Sequence, residues 1–321
     1  MVKSSSGKRD SSKEEFSSQV NNKTIRREVL CSKNFAHYES ENPCVRQSYP
    51  IARLKHFYGQ RTSIETYCAD SMKTKAILVA GGKGSRLYPF TRYTQKTLLP
   101  LYNRPVIDYA LGTIRRGGIR RITIISNEHI GHIAKHIGQS LEDEQIHYVL
   151  EEEPQGVAHA LQLARPHNDD CRLMIYFSDN ITTVEFDNLV QEFKKAKQPP
   201  GCLLLAREEE NPQAFGVAVL DDDGNIIDVV EKPENPPSNL AIGGIYLFDE
   251  TFWDKLDRAV EEKGESFSIS DINRAYIAEG KATFVSVGAD TWVDCGTPET
   301  LLQASIMAKE GKLNPRPYRE R

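Results

Sequence analysis

The sequence has no run of about 18 consecutive apolar residues, which is the length that a membrane-spanning helix needs. Its six cysteines are scattered and form no CxxC pair, so neither a metal cluster nor a disulfide framework is expected, and a reducing cytoplasm fits best. The chain also lacks basic character, because its formal net charge is −4. Neither a membrane nor a nucleic acid is therefore predicted as a partner.

Residues 1–71 lack the sustained apolar periodicity of the rest of the chain. They hold 12 Lys and Arg against 8 Asp and Glu, a net charge of +4, which leaves −8 for the remainder of a chain whose total is −4. No apolar h-region supports a signal peptide, and the acidic residues argue against a transit peptide. We expect a flexible N-terminal extension over 1–71, followed by one domain over 72–321.

Glycine is concentrated directly after a short apolar run at Ala76–Ala80. The segment Gly81–Arg86 reads Gly-Gly-Lys-Gly-Ser-Arg, and Lys96 follows ten residues later. It lacks the Gly-Lys-Ser/Thr ending of a Walker A loop, and Leu87 replaces the third glycine of the dinucleotide fingerprint. A buried strand, a glycine-rich turn with free backbone N–H groups and two nearby cations instead predict a cradle for a nucleoside triphosphate.

From Met72 onward, strand and helix patterns alternate. Helical stripes at Pro105–Arg116, Ile130–Ile137 and Ala158–Ala164 separate apolar strands, and this alternation predicts a mainly parallel sheet with helices on both faces. The predicted strands are Ala76–Ala80, Ile122–Ile125, Ile146–Leu150 and Leu173–Phe177.

The pattern changes in the second half of the chain. Leu203–Ala206, Val217–Leu220 and Ile226–Val230 are predicted strands without intervening helices, which indicates antiparallel hairpins. Further strands are predicted at Ile245–Phe248 and Thr283–Val287, and helices at Ile269–Ala278 and Pro298–Ala308. The fold class predicted is α/β: a three-layer αβα, Rossmann-like domain with an antiparallel insertion.

Polar residues follow the carboxyl ends of the predicted parallel strands, where open α/β sheets bind ligands. Asp179 follows Leu173–Phe177, and Asp294 follows the Thr283–Val287 strand. Because Mg²⁺ is typically held by one or two carboxylates together with substrate phosphates, this pair predicts a magnesium site beside the triphosphate. Glu151 and Gly156 lie at a third strand end, where Gly156 opens a helix.

Several segments in colinear order over about residues 74–310 are together typical of one family. They are Gly81–Leu87, Lys96–Pro100, Tyr102–Pro105, Phe215–Val217, Glu231–Pro233, Asn239–Tyr246, Ile269–Tyr276 and Asp294–Thr297. In these segments the chain resembles the sugar-1-phosphate nucleotidylyltransferases, and among them most of all the glucose-1-phosphate thymidylyltransferases. The resemblance implies an enzyme that joins a nucleoside triphosphate to a sugar 1-phosphate, releasing pyrophosphate. We expect a cytoplasmic homo-oligomer.

The resemblance also implies a role for each site residue. Arg86 and Lys96 would be catalytic, and Asp179 and Asp294 would bind Mg²⁺. The nucleotide would be bound by Gly81, Gly82, Gly84, Ser85, Glu151 and Gly156. The sugar phosphate would be bound by Gly216, Glu231, Lys232 and Gly244. The half at about 72–200 would bind the nucleotide, and the half at about 201–310 the sugar and the metal.

Two positions depart from the family pattern. Thymidylyl- and uridylyltransferases usually have Gln where this chain has Glu151, and a carboxylate, which only accepts hydrogen bonds, matches the two adjacent N–H donors of guanine. An arginine that usually helps to hold the sugar phosphate falls at Gly264, where Lys263 is an imperfect substitute.

Three alternatives stay open, of which the first rests on Glu151. The first is a guanylyltransferase that uses GTP and another sugar 1-phosphate. The second is a non-catalytic homologue that binds an NDP-sugar, and the third is a module that transfers a nucleotide to something other than a sugar.

Overall fold

A computed structural model of the chain describes residues 74–138, 143–169, 171–195, 200–288 and 292–313. The N-terminal extension predicted over 1–71 lies outside these residues. So do Cys31, Cys44 and Cys68, whereas Cys171, Cys202 and Cys295 are described as buried free thiols.

The described chain alternates strands and helices before it turns to antiparallel strands. The strands are β1 (Thr74–Val79), β2 (Pro100–Leu101), β3 (Arg104–Pro105), β4 (Arg121–Ser126), β5 (Gln145–Leu150), β6 (Arg172–Phe177), β7 (Asn180–Thr182), β8 (Cys202–Glu208), β9 (Gly216–Leu220), β10 (Ile226–Glu231), β11 (Leu240–Phe248), β12 (Ala282–Ser286) and β13 (Trp292–Asp294). The helices are α1 (Val106–Arg116), α2 (Ile130–Ile137), α3 (Val157–Ala164), α4 (Phe186–Lys195), α5 (Phe252–Lys263), α6 (Ile269–Ala278) and α7 (Pro298–Lys309).

The first half of the chain builds the parallel part of the sheet. β1 lies between β4 and β6 and is parallel to both, and β5 continues the sheet beyond β4. The chain therefore leaves β1 on one side to form β4 and β5, and returns on the other side as β6. This reversal at β1 is the topological switch point at which open α/β sheets form a ligand crevice.

The second half adds antiparallel strands to the β6 side. β11 pairs antiparallel with β6, β8 and β9, and β9 forms a hairpin with β10. β12 then joins the outer side of β8 in parallel. The mainly parallel α/β sheet and its antiparallel addition are confirmed.

Alternation along the strands divides the core into two apolar layers. Ile77, Ile125 and Ile175 face the side covered by α3, α5 and α6. Their neighbours Leu78 and Ile124 face the side covered by α1, α2 and α4. Successive side chains of a strand point to opposite faces, so each central strand supplies both layers. A third cluster packs α7 against β7 and β13.

The position of Asp294 differs from the sequence expectation. It does not directly follow the strand predicted at Thr283–Val287, which ends at Ser286, but closes the separate three-residue strand β13. β13 pairs antiparallel with β7, outside the large sheet. Two strands of three residues each are too short for apolar alternation to reveal. Among the described helices, none has both the length and the hydropathy that crossing a membrane requires.

Candidate active site

The candidate site lies where the parallel strands end at the switch point. The registers Val79–Ile125 and Val79–Phe177 place the ends of β1, β4 and β6 level with one another. Ser126 of β4 is in turn level with Leu150 of β5. The glycine-rich loop, Glu151 and Asp179 therefore leave the sheet at the same edge.

The glycine-rich loop is shaped by Gly84 and by the 3₁₀ turn that follows it. Gly84 has φ of 62°, in the left-handed region, and a Cβ there would lie 2.9 Å from the Thr91 Cγ2 atom. The Thr91 hydroxyl donates to the Gly84 carbonyl oxygen at 2.8 Å. Ser85 begins the turn, and a Cβ on Gly82 would lie 3.5 Å from the Lys96 Nζ atom. The Lys96 ammonium group is thus held directly beside the loop.

Gln95 fixes the backbone from which Lys96 projects. Its side chain is buried, and its Nε2 atom donates to the Ala80 carbonyl oxygen at the end of β1. Its Oε1 atom accepts a hydrogen bond of 2.6 Å from the Lys96 backbone N–H. The Ser126 hydroxyl donates to the same Ala80 carbonyl oxygen at 3.1 Å. Because a buried amide is strongly held by its hydrogen bonds, Gln95 ties the Lys96 segment to the sheet.

Lys96 forms an ion pair with Asp179, the second residue after β6. Burial acts to raise the pKa of Asp179, but the Lys96 ammonium group and a hydrogen bond from Asn180 outweigh it and hold this pKa below its ordinary value. Asp179 is therefore ionised at neutral pH. The pair joins the glycine-rich loop to the β6 strand end.

Asp294 adds a second carboxylate to the same place. Burial, and then the negative charge of Asp179, raise the pKa of Asp294 to about 6, although Lys96 and Arg86 act in the opposite direction. A Cβ on Gly296 would lie 2.5 Å from the Asp294 Oδ1 atom and 2.6 Å from the Arg86 Nη2 atom. The absence of a side chain at Gly296 therefore leaves room for the guanidinium group and the carboxylate.

Asn180 holds the two carboxylate-bearing segments together. Its Oδ1 atom accepts from the Trp292 indole N–H at 2.6 Å and from the Gly244 backbone N–H at 3.0 Å. Its Nδ2 atom donates to the Asp179 Oδ1 atom at 3.0 Å. A Cβ on Gly244 would lie 2.5 Å from that Nδ2 atom, so Gly244 allows Asn180 to approach β11.

Glu151 follows β5, on the side of β1 opposite to β6 and Asp179. It is 3% exposed, and its Oε2 atom would be only 2.6 Å from a Cβ on Gly81. Its Oε1 atom is 3.2 Å from the Nδ1 atom of His159 on α3. Gly156 precedes α3 with φ of 102°, a conformation that L side chains rarely adopt. The structure thus packs the Glu151 carboxylate against the first glycine of the loop.

A separate cluster forms around the β9–β10 hairpin. Gly216 is paired with Glu231, whose Oε2 atom accepts a hydrogen bond of 2.6 Å from the Ser270 hydroxyl at the start of α6. The Lys232 ammonium group is 3.3 Å from the Glu231 Oε1 atom, and Lys232 has φ of 44°. The ring of Phe215 is 5.6 Å from the ring of Trp292, which connects this cluster to the carboxylates.

Lys263, considered as a substitute for the arginine missing at position 264, is the last residue of α5. It lines a groove between α5 and α6 together with Arg258, Glu262 and Arg274. Gly264 follows it with φ of 53° and ends the helix.

The fold and this arrangement of charges define a nucleotidyl transferase. The sequence profile of the nucleotidyl transferase family matches residues 75–310, and the chain belongs to that family. It is 34% identical over 244 residues to the low-salt glycan biosynthesis nucleotidyltransferase Agl11 of Haloferax volcanii, a match that covers 74% of this chain and 67% of that protein. It is 32% identical over 245 residues to a glucose-1-phosphate thymidylyltransferase of Streptomyces antibioticus, covering 75% of this chain and 68% of the relative.

Solved structures agree with this assignment. A Bacillus anthracis protein described as a glucose-1-phosphate thymidylyltransferase, in complex with a sucrose, matches with a TM-score of 0.69 and 32% identity over 74% of this chain and 96% of that one. An apo UDP-glucose pyrophosphorylase matches with a TM-score of 0.64 over 75% of this chain and 100% of that one. Its identity is 20%, so this likeness shows the fold alone.

Sequence reasoning did not single out Gln95, His159, Ser270 or Asn180 as individual site residues. Gln95, His159 and Ser270 each bind a group at least eight positions away in the chain, and the sequence does not show which distant group each one meets. Asn180 could have been found, because it follows Asp179 directly at the end of a predicted strand.

The raised pKa of Asp294 predicts a pH-dependent effect of Asp294→Asn on stability. The native state holds this proton more tightly than the unfolded chain, so wild type loses stability as pH rises through about 6. The variant has no carboxyl group at this position, so it does not lose stability in this way. The free energy of unfolding of both proteins is measured with urea in the presence of EDTA. The difference, variant minus wild type, should increase by about 1 kcal/mol from pH 5 to pH 8. Asp222→Asn, at an exposed carboxyl, is the control, and an equal effect of Asp294→Asn at both pH values would contradict the prediction.

Proposed function

We propose that this chain transfers a nucleotidyl group from a nucleoside triphosphate to a sugar 1-phosphate and releases pyrophosphate. The observation that carries the proposal is the convergence of Arg86, Lys96, Asp179 and Asp294 beside a glycine-rich loop. Two cations and two carboxylates at a strand switch point suit a reaction whose substrates are both phosphates. The named activity of the Streptomyces antibioticus relative supports the same assignment.

The site residues would have separate roles in an in-line displacement. An oxygen of the sugar phosphate attacks the α-phosphorus of the triphosphate, and the bond from that phosphorus to the oxygen bridging to the β-phosphate breaks. Backbone N–H groups of Gly81, Gly82 and Gly84 would hold the triphosphate. Lys96 would neutralise the α-phosphate, and Arg86 would stabilise the departing pyrophosphate. Positioning and charge stabilisation carry the reaction, without a covalent enzyme intermediate.

The carboxylates of Asp179 and Asp294 fit a Mg²⁺ ion. Burial, and then the charge of Asp179, raise the pKa of Asp294, and a hard cation bound between the two carboxylates would favour their ionised forms. Within the described residues, no group of three or more His, Cys, Asp and Glu side chains could hold a metal. Two carboxylates completed by substrate phosphates are typical of Mg²⁺. When bound, Mg²⁺ supplies positive charge next to the reacting phosphate.

The β9–β10 hairpin is proposed to hold the sugar 1-phosphate. Lys232 is largely exposed and near Glu231, so its ammonium group is accessible to a phosphate. The Glu231 carboxylate, which already accepts from Ser270, would accept from a sugar hydroxyl. Gly216 would line this pocket. Gly244 would also contribute to this pocket, and it packs on Asn180 as well.

Two bases of the nucleoside triphosphate are candidates, and a different observation supports each of them. The glucose-1-phosphate thymidylyltransferases among the relatives favour a thymine base. The buried Glu151 favours guanine, because a carboxylate can accept from the two adjacent N–H groups of that base and cannot donate to a carbonyl.

A substrate panel tests the proposal. The purified protein is incubated with Mg²⁺ and either glucose 1-phosphate or mannose 1-phosphate, with each of dTTP, UTP, GTP, CTP and ATP in turn, and pyrophosphate release is measured. We expect release with one base and a loss of about 10²-fold or more in Lys96→Met, since this variant lacks the charge at the α-phosphate. Lys309→Met, at an exposed lysine of α7, is the control. Binding of NDP-sugar without turnover in any mixture would favour the non-catalytic alternative.

Base recognition has its own test in Glu151→Gln. If the carboxylate contacts the base, an amide that can both donate and accept should shift the ratio of kcat/KM values from GTP toward dTTP or UTP by about tenfold or more. Glu152→Gln, at the exposed neighbouring residue, should leave the ratio unchanged. An unchanged ratio in Glu151→Gln would remove Glu151 from base recognition.

A further inference from the structure

A second cavity opens at the end of the sheet opposite the glycine-rich loop. Its volume is about 250 Å³, and it lies among the first residues of β1, β4 and β5 and the turn that follows α3. Pockets for drug-sized ligands usually measure about 300–1,000 Å³. The cavity therefore suits a small ion or metabolite.

Four of the side chains that line this cavity carry positive charge or can acquire it. Lys75 comes from β1, Arg121 from β4, His147 from β5 and His167 from the turn after α3. None of the described residues that line it is acidic. The acidic residues just before β5 are engaged elsewhere, since Asp143 pairs with Arg120 at 3.1 Å and Glu144 pairs with Arg115 at 2.6 Å.

Hydrogen bonds hold the elements that carry these four basic side chains in place. The Lys75 ammonium group donates to the His167 carbonyl oxygen at 2.7 Å. Next to it, the Asn168 side chain is buried and donates to the Thr123 hydroxyl oxygen at 2.9 Å and to the Ala164 carbonyl oxygen at 2.7 Å. These bonds hold the turn after α3 against β1 and β4.

The two histidines interact directly. Their rings stack with centroids 4.3 Å apart and planes 17° from parallel. Burial, then His167, then Lys75 lower the pKa of His147. An imidazolium form of His147 beside Lys75 and Arg121 is therefore favoured only when a counter-charge is present.

We propose that Lys75, Arg121, His147 and His167 form an anion-binding site for a phosphate group, carried either by inorganic phosphate or by a small phosphomonoester. A dianion would supply a counter-charge to these four basic side chains and would accept hydrogen bonds from several of them. β1 separates Lys75 from Gly81 by six residues, or about 20 Å at the usual rise of a strand, so the ligand is not bound in the candidate active site. The site does not depend on the proposed function.

Histidine titration by NMR tests the site in the full chain. His147 and His167 signals are assigned with His147→Gln and His167→Gln and titrated with and without 10 mM inorganic phosphate. We expect phosphate to raise the pKa of His147 by about half a unit or more, because a bound dianion stabilises its imidazolium form, and to shift the ring signals of His167. The shift should vanish in Lys75→Met/Arg121→Gln and persist in Lys135→Met, at an exposed lysine of α2.

Two further measurements separate this site from the candidate active site and from non-specific charge effects. In Lys96→Met the histidine shifts should persist, because Lys96 is at the other end of the sheet. Sulfate, whose charge is constant over this range, should bind more tightly at pH 6 than at pH 8. Absent shifts, or equal shifts in Lys75→Met/Arg121→Gln, would overturn the proposal.

The source of the phosphate group is distinguished by comparing two probes under the same conditions. Equal shifts with inorganic phosphate and glycerol 3-phosphate would indicate a phosphomonoester site that is open on one side. A shift with inorganic phosphate alone would indicate a site for the free ion.

Discussion

The carboxylates of Asp179, which is buried, and Asp294, which is partly exposed, lie close enough for the charge of Asp179 to raise the pKa of Asp294, and much of the site compensates for this proximity. Like charges in a partly desolvated site destabilise the folded state unless cations or hydrogen bonds compensate them. Lys96 pairs with Asp179, while Arg86 lies beside Asp294 across Gly296. The compensation is incomplete, since the pKa of Asp294 remains raised to about 6. A divalent cation bound beside the two carboxylates would favour the ionised form of Asp294.

The close approach of charged and polar side chains explains why several positions of the site are glycine. Gly81, Gly244 and Gly296 each lie where a Cβ would come within 2.6 Å of a polar atom of a site side chain: the Glu151 carboxylate, the Asn180 amide, or the Asp294 and Arg86 groups. Side chains from separate segments can therefore meet without intervening bulk. Trp292 has the complementary role, because its indole donates to Asn180 and packs beside Phe215 at the hairpin.

The sequence was sufficient to predict the parts of the fold that have strong periodicity. The central strands and α6 follow from apolar runs and a helical stripe, and α6 has the predicted bounds Ile269–Ala278. The helices α4 and α5 were not predicted, and the pairing of β7 with β13 could not be, because three-residue strands have no period to detect.

The charged residues of the site were predictable, but the residues that hold them were not. Arg86, Lys96, Asp179 and Asp294 stand in motifs or at strand ends. By contrast, Gln95 and His159 act through contacts that exist only once the strand ends meet at one edge of the sheet. Likewise, only the folded chain shows that Gly244 packs on Asn180.

A double-mutant cycle between Lys96 and Asp179 tests most directly whether charge compensation organises this site. The free energies of unfolding of wild type, Lys96→Met, Asp179→Asn and the double variant would be measured by urea at pH 7 in EDTA. A compensating buried pair predicts an interaction energy of about 1–3 kcal/mol, with the double variant less destabilised than the sum of the single variants. Additive effects within about 0.3 kcal/mol would contradict the account.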